Sequence, residues 1–317
     1  MNDRHSDLPI VDGHVDILCE MIRRHPDTPF HEISTGPVTL KKLEKGGIRI
    51  IVAALYCPDE HNGAGSAAEY LENLFELADK YLARLDHVRT AKGFDSCFKG
   101  ETGIGKILLL ENSDALLEMG TDKLEENGLK VVGLTHAGRN RIGDGNGIRY
   151  PEKLTTEGKN LVKILDNNGF AIDLAHLSQP CFREVIDTFK GPVISSHTGI
   201  RPLCDIPRNL SPEQVDVILQ RDGMIGITIN PEMLSEDQIA DAEDVFEHID
   251  FIAQKYGVDG IALGSDLCGF DMVTSGAEDI SKLNNLVEIL ERHGYPREAV
   301  QKIMGENWRL FYSSLLS

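Results

Sequence analysis

Eight short apolar runs, rich in Val, Ile and Leu and separated by longer segments of helical periodicity, constrain the fold of this 317-residue chain most strongly. The runs are Ile10–Asp16, Ile48–Tyr56, Lys106–Glu111, Lys130–His136, Phe170–His176, Pro192–His197, Met224–Asn230 and Asp259–Asp266. The helical candidates between them include Ala67–Leu85, Glu152–Asn167, Gln179–Phe189, Ser211–Gln220, Ala242–Tyr256 and Ile280–His293. Short apolar strands that alternate with helices are typical of a parallel sheet covered on both faces.

Eight such strands in a chain of this length predict a closed (β/α)8 barrel of the TIM type. An open doubly wound sheet is the alternative, but no GxGxxG motif follows the first run. The sequence contains no internal repeat, low-complexity tract or Pro/Ser-rich linker that would mark a domain boundary. We therefore predict that residues 1–317 form a single domain.

Charge and composition narrow the classes of function. The chain carries 51 acidic and 32 basic side chains, a net charge of -19, so we expect no general affinity for nucleic acid or anionic membranes. The polar segment Met1–Asp7 lacks the apolar core of a signal peptide, and no apolar run is long enough to span a bilayer. The six cysteines form no CxxC pair, and we interpret them as reduced core residues. We expect a cytoplasmic protein, and the sequence leaves open whether it works alone or as a homodimer.

Polar side chains stand at or just beyond the C-terminal ends of seven of the eight runs, the edge where barrel enzymes place their catalytic groups. They are His14, Asp16, Glu111, His136, His176, His197, Asn230 and Asp266. Taken singly, each has an ordinary explanation: a hydrogen-bonded histidine, a carboxylate that caps the next helix, or a turn-forming asparagine before Pro231. Together they indicate a divalent cation, because unpaired buried charge is costly.

The local spacing suits two ions. In His14-x-Asp16 the period of two along a strand turns both side chains to one face. His176 and His197 stand on neighbouring strands, which lie about 4.8 Å apart, and Glu111 can give one oxygen to each ion. Imidazole and carboxylate ligands together suit zinc, with manganese, iron or cobalt as alternatives. Two ions about 3.5–4 Å apart would hold a bridging hydroxide and polarise a scissile carbonyl.

The ordered series of strand ends resembles the membrane (renal) dipeptidase family, a branch of the amidohydrolase superfamily with a dinuclear zinc site. The likeness runs from about residue 9 to about residue 311. It rests on His14-Val15-Asp16, Glu111, Leu134-Thr135-His136, Asp173-Leu174-Ala175-His176, Ser195-Ser196-His197, Pro207-Arg208-Asn209-Leu210, Gly264-Ser265-Asp266 and Gly305-Glu306-Asn307.

The resemblance implies a role for each residue. His14 and Asp16 would bind the first zinc, and His176 and His197 the second, with Glu111 bridging both. Three further residues would act on the substrate: His136 would stabilise the oxyanion, Arg208 would bind the free carboxylate, and Asp266 would move the proton. The alternatives are a surface salt bridge for Arg208 and a helix cap for Asp266.

Three segments depart from the usual family pattern. Asn112-Ser113-Asp114 follows the predicted bridging glutamate, where the family usually has glycines. Leu267-Cys268-Gly269 stands where a second aspartate is usual, and Pro231-Glu232 where the family often has an aromatic residue near the substrate. The predicted metal ligands are unaffected, so these departures bear on substrate preference.

The resemblance implies a metal-dependent hydrolase that cleaves small dipeptides, with L-Xaa-D-Xaa dipeptides among the expected substrates. One alternative is another amidohydrolase acting on a cyclic amide, a lactone or a base that it deaminates. Most dinuclear members of that superfamily begin with HxH and bridge the ions with a carbamylated lysine on strand four, whereas here the motif is HxD and that run ends in His136. The other alternative is a barrel that binds metal or ligand without turnover, which would have no need of a proton carrier such as Asp266.

Overall fold

The computed structural model describes residues 8–317, so the prediction made for Met1–Asp7 lies outside the described residues. The strands are β1 Ile10–Val15, β2 Ile48–Tyr56, β3 Asp86–His87, β4 Gly105–Glu111, β5 Val131–Gly133, β6 Ala171–Asp173, β7 Val193–Thr198, β8 Met224–Ile227 and β9 Ile261–Leu263. All of them pair in parallel in one sheet.

Eight of these strands close into a barrel. β1 pairs with both β2 and β9, β2 pairs with β4, and the remaining strands follow in chain order from β4 to β9. The short strand β3, which the sequence did not predict, lies beside the first two residues of β4. The predicted (β/α)8 barrel of the TIM type is therefore confirmed.

Helices surround the barrel. They are α1 Ile17–Arg24, α2 Leu40–Gly46, α3 Ser66–Tyr81, α4 Ala91–Phe98, α5 Leu116–Met119, α6 Asp122–Glu126, α7 Thr156–Asn167, α8 Gln179–Thr188, α9 Pro212–Leu219, α10 Pro231–Leu234, α11 Ala242–Tyr256, α12 Asn285–Arg292, α13 Arg297–Gln301 and α14 Asn307–Leu315. Short 3-10 turns cover Phe30–Glu32, Asp59–His61 and Ile280–Lys282, and a π-helical turn, Lys302–Glu306, precedes α14. In residues 8–317, no helix is long and apolar enough to cross a membrane.

Two apolar clusters form the core. The smaller contains buried residues of all eight barrel strands, so it fills the barrel interior, and Trp308 and Tyr312 of α14 pack into it. Ile107 and Leu109 belong to it, and the period of two places Glu111 on the same inner face. The larger cluster lies between the strands and the helices. The polar strand ends therefore meet above a packed interior.

Several strands end earlier than predicted. β6 stops at Asp173 and β9 at Leu263, short of the predicted ends His176 and Asp266. The reason lies in the backbone: His176 has φ 62° and Asp266 has φ 65°, and this left-handed conformation cannot continue a strand. These two side chains therefore stand on the turns just above the barrel, whereas His14, Glu111 and His197 lie at the ends of the strands themselves.

Candidate metal centre

The first predicted ligand pair lies at the end of β1. His14 Nε2 is 3.4 Å from Asp16 Oδ2 and 3.8 Å from Glu111 Oε2. This nitrogen is buried, and it makes no hydrogen bond within residues 8–317. Although burial lowers the pKa of His14, the carboxylates of Asp16 and Glu111 raise it to about 10. Their charges thus favour a positive charge at this nitrogen, whether a proton or a metal ion.

The second predicted pair faces the other oxygen of the same glutamate. His176 Nε2 and His197 Nε2 lie 3.0 Å apart, and they are 2.9 Å and 3.8 Å, respectively, from Glu111 Oε1. Burial, followed by the charge of Arg208, lowers the pKa of His176 to about 3. Burial also holds the pKa of His197 well below its usual value. Both imidazoles are therefore neutral and can direct a lone pair to one point.

The structure thus brings all five predicted ligands together, with the Glu111 carboxylate between the two pairs. Three imidazoles and two carboxylates form a donor set that zinc accepts. The buried, unbonded nitrogen of His14 is the kind of atom that a cation would satisfy. These observations fit two divalent ions.

His136 and Asp266 border the same centre. The ligand-type atoms of Glu111, His136 and His176 lie within 4.8 Å of one another, and so do those of His14, Asp16 and Asp266. Each predicted catalytic residue therefore stands beside a different half of the five-residue cluster.

The orientation of His136 depends on the loop after β2. Asp59 Oδ2 lies 3.4 Å from His136 Nδ1 and accepts a hydrogen bond of 2.8 Å from the backbone N–H of Gly138. Tyr56 packs edge-on against the His136 ring, with the ring centroids 4.8 Å apart. Burial lowers the pKa of His136, but Asp59 and Glu111 raise it on balance. Asp59 therefore holds one ring nitrogen and leaves Nε2 for a ligand.

Asp266 is buried against Asp16, and Asn230 Nδ2 donates to its Oδ2 at 3.3 Å. Burial raises the pKa of Asp266 well above its usual value, and the neighbouring Asp16 raises it further. A Cβ atom at Gly269 would come within 2.4 Å of Asp266 Oδ1, so a larger residue at this position would displace the Asp266 carboxylate. Asn230 also caps the N-terminus of α10, which agrees with the sequence-based alternative that it forms a turn before Pro231. Asp266 caps no helix in residues 8–317, against the alternative that the sequence left open.

Arg208 reaches the centre from the loop after β7. It is partly buried, and its Nη2 donates to the carbonyl of His197 at 2.7 Å. Within the described chain no ion pair between Arg208 and a carboxylate is found, and burial lowers the pKa of its guanidinium, so the structure favours a buried role over a surface salt bridge. A guanidinium that is held in place by a backbone carbonyl retains donors for a ligand carboxylate.

The departure at Asn112 has a structural reason. Asn112 has φ 71°, the left-handed region that favours glycine and, next, asparagine. Its buried amide donates to the carbonyl of Cys57 and to Asn62 Oδ1, each at 2.8 Å, and its Oδ1 accepts from Asn140 at 2.8 Å. The asparagine therefore meets the same backbone requirement as the usual glycine and also connects the loops that follow β2, β4 and β5.

Replacing Asn112 with Ala should lower the free energy of unfolding of the metal-free protein by about 2–4 kcal/mol. About 1 kcal/mol arises because alanine lacks the short polar side chain that lets asparagine tolerate the left-handed region, and the rest follows from leaving buried polar partners without hydrogen bonds. Asn112→Gly should lose about 1 kcal/mol less than Asn112→Ala, because glycine has no Cβ and adopts the left-handed region without strain. Urea unfolding of both variants measures the difference. Equal losses would show that the backbone conformation contributes nothing.

Sequence reasoning missed Asp59 and gave no role to Asp173 or to the Ser196 hydroxyl. The second run, Ile48–Tyr56, is the one of the eight that does not end in a polar residue. Asp59 lies three residues beyond Tyr56, so the loop after this run was the place to look for the missing polar side chain. The period of two on β7 turns Ser196 inward with the buried Ile194, but it does not indicate that the hydroxyl contacts His14 and His197.

A parallel barrel that gathers four histidines and three carboxylates at the C-terminal edge of its strands has the architecture of a metal-dependent hydrolase. The chain belongs to the membrane dipeptidase family, peptidase family M19, whose family model matches residues 1–311. This confirms the family named from the sequence, and it identifies the protein as a metallopeptidase of the dipeptidase type. A metallopeptidase family implies a divalent metal ion.

Individual relatives agree with this assignment. The chain is similar to dipeptidase tcpJ of Claviceps purpurea, with 27% identity over 93% of this chain and 74% of the relative. It is also similar to dipeptidase aclJ of Aspergillus oryzae, with 25% identity over 95% of this chain and 76% of the relative. Its fold matches the crystal structure of a Rhodobacter sphaeroides metallopeptidase bound to a phosphinate mimic of L-Ala-D-Ala, with TM-score 0.86, 23% identity and 98% of each chain covered.

Proposed function

We propose that this chain is a dinuclear zinc dipeptidase in which His14 and Asp16 hold one ion, His176 and His197 hold the other, and Glu111 bridges them. One observation carries the proposal: the two oxygens of the Glu111 carboxylate face two separate ligand pairs. A site for a single ion would not need both oxygens directed to different histidines. The whole chain, residues 1–317, would act as one domain.

Divalent ions held by these five residues would supply an acidified water as nucleophile and would polarise the scissile carbonyl. The chain's own residues complete the chemistry. His136, oriented by Asp59, can donate a hydrogen bond through Nε2 to the oxyanion that develops on the carbonyl. Asp266, whose raised pKa makes it a better proton acceptor than an ordinary aspartate, can take a proton from the attacking water and pass it to the leaving amine.

The substrate class follows from the charges around the centre. Arg208 would bind the free carboxylate of a dipeptide, while the α-amino group would approach the acidic side formed by Asp16 and Asp266. The phosphinate mimic of L-Ala-D-Ala, bound to the Rhodobacter sphaeroides structure, supports small dipeptides with a C-terminal D-residue as candidates alongside L,L-dipeptides. A turnover screen with matched L,L and L,D members would establish the preference.

Two metal ions per chain should be found in active protein. Chelation should abolish dipeptide hydrolysis, and zinc or cobalt should restore it, because five ligands converge on the centre. Elemental analysis of the active protein and a titration of the metal-free protein give the count. Full activity with no more than one tightly held ion would contradict the dinuclear site.

A further inference from the structure

One hydroxyl group lies between two histidines of the cluster. Ser196 Oγ is 3.1 Å from His14 Nδ1 and 2.8 Å from His197 Nδ1. The two imidazole rings are themselves close, with centroids 3.7 Å apart. On each ring the opposite nitrogen, Nε2, faces the ligand cluster. Ser196 therefore contacts both rings on the side away from the proposed ions.

Asp173 anchors Ser196 from the neighbouring strand. The backbone N–H of Ser196 donates to Asp173 Oδ1 at 2.9 Å, and a carboxylate oxygen of Asp173 lies within 4.8 Å of one ring nitrogen of His14 and one of His197. Asp173 is fully buried and accepts a further hydrogen bond from the backbone N–H of Ala175 at 3.1 Å. The carboxylate, the hydroxyl and the two imidazoles thus form one buried network.

The network decides which ring nitrogen carries the proton. An imidazole that binds a cation through Nε2 carries its proton on Nδ1 and normally donates it to an oxygen nearby. A serine oxygen has two lone pairs, so it can accept from both Nδ1–H groups while its own proton goes to Asp173. Every polar atom of the network is then satisfied, and both Nε2 lone pairs point to the ligand cluster.

We propose that Ser196 is a positioning residue that sets the orientation and tautomer of one histidine from each ion's ligand pair, so that the two metal sites depend on one hydroxyl. The inference rests on the proposed dinuclear function. It extends that function because it predicts that a single substitution outside the ligand set weakens both ions together.

The adjacent serine provides a matched control. Ser195 is equally buried on β7, but its hydroxyl has no hydrogen-bond partner within the described residues. Ser195→Ala removes the same atom from the neighbouring position without touching either imidazole. It should therefore bind both ions as the unaltered protein does.

The test measures metal retention. Each variant is loaded with cobalt, whose visible spectrum reports the ligand geometry, and the ions are withdrawn stepwise with a competing chelator. Ser196→Ala should hold both ions about 10–100-fold more weakly and change the spectrum, as expected for the loss of a group that orients metal ligands. Asp173→Asn should act in the same direction, because its amide N–H would donate to Ser196 Oγ and compete with the imidazoles. Urea unfolding of the metal-free forms checks that both variants fold.

The outcomes separate the two proposals. If the unaltered protein binds only one ion, the dinuclear function is wrong. If it binds two ions and Ser196→Ala retains both like Ser195→Ala, or loses only one, the coupling through Ser196 is wrong. If Ser196→Ala does not fold, metal retention by Asp173→Asn is the test instead. Weaker binding of both ions by that variant supports the coupling, and unchanged binding or the loss of only one ion contradicts it. Parallel weakening of both ions with an altered spectrum supports the inference.

Discussion

Replacing Asp266 with Asn should lower kcat for a dipeptide by about 10²–10⁴-fold while the fold and both metal ions remain. The side chains have nearly the same shape, and Asn230 can keep its contact at position 266. An amide, however, cannot accept the proton of the attacking water or deliver it to the leaving amine. Burial and Asp16 raise the pKa of the native carboxylate, which suits it to that transfer.

Steady-state kinetics and metal analysis of the same preparation test the role of Asp266. Its carboxylate lies with His14 and Asp16 in a group that could itself hold an ion, so the metal content decides between two roles. Loss of one ion in proportion to activity would make Asp266 a ligand. An unchanged kcat with both ions present would remove it from the mechanism.

The barrel could be predicted because its signals are local. Continuous apolar runs such as Ile48–Tyr56 encode buried parallel strands, and the polar residues at the ends of seven of the eight runs mark the C-terminal end of the barrel. The pairing of His14 with Asp16 and of His176 with His197 needed only the period of two and the order of strands. For the same reason, all five predicted ligands occur together in the structure.

Two kinds of feature could not be predicted from the sequence: the backbone conformation at the strand ends and the contacts between distant loops and strands. His176 and Asp266 adopt positive φ, and no local pattern indicates that a histidine or an aspartate will do so. Asp59 reaches His136 from a loop 77 positions away in the sequence, and such a contact exists only once the barrel closes. The contact of Ser196 with His14 spans 182 positions and is equally inaccessible to spacing arguments.

Dipeptides whose C-terminal carboxylate is amidated should be poor substrates, with kcat/KM at least about 30-fold lower than for the free dipeptide. Arg208 is partly buried, is held by the carbonyl of His197, and forms no ion pair with a carboxylate in residues 8–317. Removal of the substrate carboxylate leaves this guanidinium without its partner, a loss of about 2–5 kcal/mol for a desolvated charge pair. N-acetylated dipeptides should also be poor substrates, because acetylation removes the positive charge of the α-amino group that would approach Asp16 and Asp266.

Arg208→Lys should reproduce most of this loss, because an ammonium group cannot form the two parallel hydrogen bonds of a guanidinium. The decisive observation would be that the variant has similar kcat/KM values for the free dipeptide and the amidated one. Arg201→Lys is the matched control, since Arg201 lies on the same loop and pairs with Asp205, 3.7 Å away, instead of facing the metal cluster. Its kcat/KM for both substrates should stay near that of the unaltered protein. If amidated dipeptides, tripeptides or uncharged cyclic amides are cleaved as fast as free dipeptides, Arg208 does not select the substrate, and hydrolysis of cyclic amides or lactones becomes the better assignment.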